Sequence, residues 1–474
     1  MTMRHHLAVL TISCVPMLLS SAQAPADYQR QGREILKELI ETDTTHSAGS
    51  TTVAAERMAA RLVAAGFPEG DVVVVGSSDK AAQARGNLVV RYRGQGSRQP
   101  VLFIAHLDVV EARREDWSME PFVLNEKDGY FYGRGTLDVK GGAATLVAAF
   151  ARLRAEGWVP DRDLVLALTA DEEGGDNNGI EWLLANQREL IAATYTINVD
   201  AGGGELRGAR ITALDVQASE KVYASFSLTV KSSGGHSSLP VKDNAIYRLA
   251  AGLQRLAAFE FPIQLTDITR LYFERMAPLS GAAGPDMKAV AGKTFTPAVA
   301  ARLASRSTLY NALLRTTCVA TMLQAGHAEN ALPQTAQATV NCRLLPIDSA
   351  TKVQETLVKV LADQQIAVAP IGTARPSPPS PLAAEPLGAI ETAAKAVWDT
   401  PPPIIPHMET GATDGLFLRN AGIPVYGVSG ISFDPDDMRA HGKDERILVK
   451  SFNEGLEFAY QLVRAIGSKS AAKK

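Results

Sequence analysis

Val101-Leu102-Phe103-Ile104-Ala105-His106-Leu107-Asp108 is five apolar residues in a row, closed by a histidine and an aspartate two positions apart. A run this short and continuously apolar reads as a strand buried on both faces, as in a parallel sheet. Its polar residues then fall at the strand's carboxyl end. The pattern recurs. Glu172 and Glu173 close the apolar run 164–170, Asp200 closes 196–199, and Asp138 follows Gly133-Arg134-Gly135-Thr136-Leu137. Open α/β sheets build their sites at that edge, so these residues are the first candidates for chemistry.

Working outward, helical periodicity at 28–41, 51–65, 141–154 and 179–190 alternates with strand-like runs at 72–75, 87–92, 101–104, 164–168 and 195–199. This predicts an α/β fold with a mostly parallel sheet and helices on both faces. Gly202-Gly203-Gly204 reads as a turn, after which the pattern changes. A strand at 222–231, a helix at 244–257, strands around Cys318 and Cys342, a helix at 351–361 and a strand at 366–370 follow. That β-α-β-β-α-β order is ferredoxin-like. Residues 261–308 look like a helical insertion with no functional reading. A proline-rich linker at 375–381 leads back to a helix at 387–398 and a strand at 425–428. The expected organisation is a signal peptide (1–24), a large α/β domain in two parts (25–214 and 375–474), and an inserted α+β domain (215–374).

With 474 residues, two domains are expected. The net charge of −3 gives no support to nucleic-acid binding. Arg4 and two histidines precede an apolar stretch at 7–19, and Ala22-Gln23-Ala24 offers a cleavage site. This reads as export, to the periplasm or the exterior, with cleavage near Ala24 and no membrane attachment afterwards. In an oxidising compartment Cys318 and Cys342 form either a disulfide or two small buried apolar contacts.

Each motif alone has a bland reading. His106-Leu107-Asp108 places two polar side chains on one face of extended backbone, where one can bind a metal and the other support it. The adjacent Glu172 and Glu173 repel one another unless a cation holds them. A metal on one would leave the other free as a base. The glycines around Asp138 match no phosphate-binding loop, and Gly427-Val428-Ser429-Gly430-Ile431 is not a nucleophile elbow. His327 and His407 lack a comparable carboxylate frame and read as ordinary polar positions.

Taken in order, the motifs resemble the zinc metallopeptidase family twenty, which includes aminoacylase, carnosinase, bacterial dipeptidases and carboxypeptidase G. The resemblance rests on His106 to Val110, Gly133 to Gly142, Asp171 to Gly174, Asn198 to Gly202, Ser233 to Ser238 and His441 to Glu445. Arg315-Thr316-Thr317 and Glu329-Asn330 look nearest to the carboxypeptidase S and secreted N-acyl-amino-acid hydrolase branch. It implies the zinc exopeptidase fold with a lid that often mediates homodimers. It also implies two metal ions, one on His106 and Glu173, the other on Asp200 and His441, with Asp138 bridging. Zinc suits this imidazole–carboxylate set, and manganese or cobalt is compatible with it. A cis peptide after Asp138 is a further family expectation.

By the same resemblance, Glu172 takes a proton from the attacking water and returns it to the leaving nitrogen, while Asp108 orients His106. His236 would assist the oxyanion, from its own chain or from a partner. Asn330 and Arg343 would hold the substrate carboxylate or backbone, and Thr413 would line the cleft. The expected activity is hydrolysis of a small peptide by an exopeptidase or dipeptidase. Aspartate at position 200 goes with dipeptidases, although the N-acyl-amino-acid branch also carries it, so an N-acyl-amino-acid amidohydrolase is the alternative. A non-catalytic binding protein on the same fold is the remote one.

Overall fold

The computed structural model describes residues 24–76, 84–175 and 177–468. The expected signal peptide lies almost wholly outside the described residues. No described helix is long and apolar enough to cross a membrane.

In chain order the first part contributes α1 (Ala26–Ile40), α2 (Thr51–Ala64), β1 (Val72–Val75), β2 (Asn87–Tyr92) and β3 (Arg98–His106). A small hairpin, β4 (Asn125–Lys127) and β5 (Tyr130–Tyr132), precedes α3 (Lys140–Ala155), β6 (Arg162–Thr169), α4 (Gly179–Asn186) and β7 (Thr196–Asn198). The hairpin β8 (Gly203–Arg207) and β9 (Arg210–Glu220) ends this part. All of these strands except the β4–β5 hairpin join a ten-stranded sheet, in which β3 pairs in parallel with both β6 and β7.

The opening stretch shows why the sheet is a double-faced core. Val101, Phe103 and Ala105 pack into one cluster with α1, α2 and α3, while Leu102 and Ile104 pack into another with α4. A one-residue slip would exchange the faces. Each large apolar side chain buried here contributes roughly 1.5–3 kcal/mol, so register is strongly held. The carboxyl ends of β3, β6 and β7 are thereby fixed side by side.

The inserted unit comprises β10 (Val222–Lys231), β11 (Gly235–His236), α5 (Ala245–Ala257), β12 (Thr317–Ala325), β13 (Ala331–Leu332), β14 (Thr335–Leu344), α10 (Ala350–Leu361) and β15 (Ile366–Ile371). Its four-stranded antiparallel sheet has the order β12-β14-β10-β15, the arrangement of a ferredoxin-like unit. Cys318 and Cys342 stand directly opposite one another on β12 and β14 and are disulfide-bonded.

The helical insertion is real: α6 (Asp267–Met276), α7 (Gly284–Ala291), α8 (Pro297–Ala304) and α9 (Thr308–Leu314). It packs not on the lid sheet but on the large one, where Ile268, Phe273 and Met287 share a core with Ala213, Ala218, Ile405 and Met408.

The return part runs α11 (Ala384–Val397), β16 (Ile404–Glu409), α12 (Gly415–Asn420), β17 (Val425–Gly427), β18 (Ser432–Phe433), β19 (Arg446–Leu448) and α13 (Val449–Gly467). Two expectations need correction. Gly203 and Gly204 begin a strand rather than forming only a turn, and β9 carries the large sheet to Glu220, across the boundary expected at 214/215. Sequence also hid β16, because Pro406 interrupts it; the strand nevertheless pairs in parallel with β9 through an irregularity at His407/Met408.

Candidate metal centre and substrate cleft

His106 sits at the end of β3, buried, with Nε2 at 3.2 Å from Asp138 Oδ1 and 3.4 Å from Asp200 Oδ1. Its Nδ1 lies 3.0 Å from the carbonyl oxygen of Asp108. A proton on Nδ1 donated to that carbonyl leaves the Nε2 lone pair facing the carboxylates, the tautomer a metal ligand needs. On the other side of Asp138, His441 Nε2 is 3.0 Å from Asp138 Oδ2 and 2.9 Å from Glu173 Oε2. His441 adopts a left-handed conformation (φ 61°) that turns its ring into the cluster. The peptide from Asp138 to Val139 is cis, as the resemblance implied.

Two donor groups result, each with ligand atoms within 4.8 Å of one another: His106, Asp138 and Asp200, and Asp138, Glu173 and His441. Asp138 belongs to both. The geometry thus groups His106 with Asp200 and Glu173 with His441, unlike the expected pairing of His106 with Glu173 and of Asp200 with His441. Strand register explains it. Ile104 is the partner of Asn198 on β7, so two residues on, His106 and Asp200 emerge side by side. Glu173 lies beyond the end of β6, past Asp171, whose positive φ of 54° turns the chain away.

Electrostatics make the same case for cations. Burial works against charging the His106 ring, but Asp200, Asp138 and Asp108 outweigh it and hold the ring well above a free imidazole. Hydrogen bonds to Asp138 and Glu173 raise His441 to about 10. Glu172 is pushed well above the usual carboxylate range, by burial first and then by Asp200, Asp414 and Glu173, with His106 opposing. So many carboxylates around two imidazoles are repulsive unless cations are shared among them.

Asp108 does something other than expected. Its carboxylate lies 3.6 Å from His106 Nδ1 and accepts instead from the backbone N–H of Glu172 (3.1 Å) and Glu173 (2.9 Å). The support for His106 comes from the Asp108 backbone carbonyl, and the side chain fixes the backbone of Glu172 and Glu173. Glu445 is a residue whose role sequence reasoning missed. Fully buried, it accepts from the N–H groups of Gly135, Leu137 and Asp138 at 2.8–3.0 Å and pairs with Arg134 at 2.7 Å. One carboxylate thus ties the loop carrying Asp138 to the segment carrying His441. The only sequence signal was its place within the His441 motif.

The cluster opens into a cleft of about 740 Å³ that also reaches the lid. Arg343 lines it from β14, with its guanidinium 4.7 Å from the Tyr223 ring, and among the described residues no carboxylate stands within ion-pair distance of it. Thr413 lines the cleft too, but its hydroxyl is taken: it donates to Glu220 at 2.9 Å and accepts from the Gly415 N–H at 3.1 Å. His236 and Asn330 are not brought to the cluster. His236 lies exposed in β11 and Asn330 in the turn before β13, beyond the Lys231 end of β10, whereas Arg343 faces Tyr223 at its start. Eight strand steps separate those ends, roughly 26 Å.

The family model for peptidase family M20/M25/M40 matches residues 102–465, a span that includes every member of the two donor groups. The chain belongs to peptidase family M20. Human N-fatty-acyl-amino acid synthase/hydrolase PM20D1 is 29% identical over 469 residues, covering 94% of this chain and 90% of that protein. Among solved structures, the M20 metallo-carboxypeptidase Sso-CP2 from Sulfolobus solfataricus aligns with a TM-score of 0.68 at 18% identity, over 92% of this chain and 99% of that one. Human carnosine dipeptidase 1 gives 0.65 at 15%, over 93% and 97%. The protein is thus a hydrolase of the metallopeptidase and amidohydrolase type.

Proposed function

We propose that this M20 protein is an exported two-metal hydrolase that cleaves the amide bond of small peptides bearing a free carboxylate, as a dipeptidase or related exopeptidase. The observation that carries the reading is Asp138 shared between two three-residue donor groups, with Glu172 beside them and outside both. His106, Asp138 and Asp200 would hold one divalent ion, and Asp138, Glu173 and His441 the other. Zinc suits both sets, and manganese or cobalt is compatible. Bound there, such ions supply Lewis acidity and lower the pKa of water.

The chain's own residues do the rest. Glu172 takes the proton of the attacking water and delivers it to the leaving nitrogen. Asp108, through two backbone N–H groups, keeps Glu172 in place. Arg343 offers the planar fork that a substrate carboxylate accepts.

The human relative, an N-fatty-acyl-amino acid synthase/hydrolase by name, favours a second reading, an N-acyl-amino-acid amidohydrolase. Metal-reconstituted enzyme assayed on free dipeptides and on N-acyl amino acids separates the two. We expect kcat/KM to favour the free dipeptides at least about tenfold. Turnover of the acylated substrates alone would establish the second reading.

Two copies would complete the site. β12 is the edge of the lid sheet and exposes Val319, Met322 and Leu323, each more than half exposed. An edge this apolar invites pairing with a second lid. It would carry one protomer's His236 and Asn330 to its partner's cleft. Light scattering should then give twice the chain mass. Mixing and re-associating inactive Glu172→Gln and His236→Ala proteins should restore about a quarter of wild-type activity, because half the dimers then hold one complete site. A monomer, or a mixture no more active than its parts, refutes this arrangement.

A further inference from the structure

Glu409 places a negative charge in the cleft that neither donor group uses. It ends β16 on the large sheet and lines the same cleft as Asp200, Tyr223 and Arg343. Its Oε1 accepts from the N–H of Thr410 at 2.7 Å and Gly411 at 3.3 Å, and His407 Nε2 lies 3.1 Å from Oε2. Burial opposes ionisation, yet the His407 hydrogen bond and charge, with those N–H groups, hold the carboxyl down to about 2. His407 is itself buried, and the ring of Tyr272, from the helical insertion, stands 6.1 Å from it. The insertion therefore backs a wall of the cleft.

Among the described residues Oε2 has one partner, and a carboxylate oxygen can take two. Glu409 and Arg343 are not within ion-pair distance of each other, so two opposite charges stand apart in one cleft. A ligand carrying both charges matches that layout. Building on the amide-hydrolase reading, we propose that Glu409 is a specificity-determining residue that receives a protonated nitrogen of the substrate. This nitrogen is either the α-ammonium of a free peptide or the ammonium of a basic side chain at the same end.

Calorimetric titration of metal-loaded Glu172→Gln protein, which binds without turning over, tests this with Ala-Ala, N-acetyl-Ala-Ala and N-acetyl-Lys-Ala. Adding Glu409→Gln should weaken Ala-Ala binding about tenfold or more and leave N-acetyl-Ala-Ala within about twofold, with Glu409→Asp intermediate. Loss confined to N-acetyl-Lys-Ala would assign the anchor to the side-chain ammonium. Equal loss for all three ligands overturns the anchor and leaves the hydrolase reading standing. Failure of the Glu172→Gln protein to bind any of them overturns the hydrolase reading, and the anchor with it.

Discussion

Asp138→Ala should strip metal from both positions at once and bring amide hydrolysis to background. The expectation follows from geometry: Asp138 is the one residue common to both donor groups, with one oxygen toward His106 and the other toward His441. Removing any other ligand leaves one group of three intact. Asp200→Ala, for example, spares Asp138, Glu173 and His441, and should keep close to one equivalent of metal. Loss of several kcal/mol of charge stabilisation corresponds to at least about a thousandfold in rate. Elemental analysis after dialysis, beside circular dichroism to confirm folding, reads the result. Two equivalents of metal retained by Asp138→Ala would remove the bridge from the reading.

Among the candidate ligands, His106, Glu173 and Asp200 were legible in sequence for a physical reason. A histidine or carboxylate directly after a buried apolar run sits at a sheet edge, and β3, β6 and β7 are long or apolar enough to declare themselves. What sequence could not give was which ligands meet. That depends on β3 lying in register with β7, and on the left-handed turn at Asp171 after β6. The role of Glu445 was hidden for a related reason: apart from Arg134, its partners are backbone N–H groups, which leave no trace in side-chain pattern. β16 was masked by Pro406, and with it the place of His407 and Glu409. The disulfide stayed undecided because opposed positions on two strands serve a bond and an apolar contact equally well. Thr413 shows the converse, a correctly placed residue whose hydroxyl the fold already employs.

Glu172→Gln should separate binding from chemistry. The side chain lies outside both donor groups, so metal content should match wild type. Its backbone N–H, held by Asp108, is unaffected by the change, and glutamine keeps the shape. On the proposed mechanism, what disappears is the ability to take a proton from water and return it to the leaving nitrogen, a contribution on the order of 10²–10⁴ in rate. The loss should appear in kcat, with KM nearly unchanged, because the proposed contact with the substrate carboxylate lies elsewhere, at Arg343. Stability gives an independent sign. Burial, Asp200 and its other acidic neighbours push the Glu172 pKa up, so the ionised carboxylate is disfavoured where it stands. A neutral amide relieves that repulsion, and the metal-free variant should melt no lower than the metal-free parent. Retention of more than about a tenth of wild-type kcat would take Glu172 out of the proton path, since a general base contributes at least about a hundredfold.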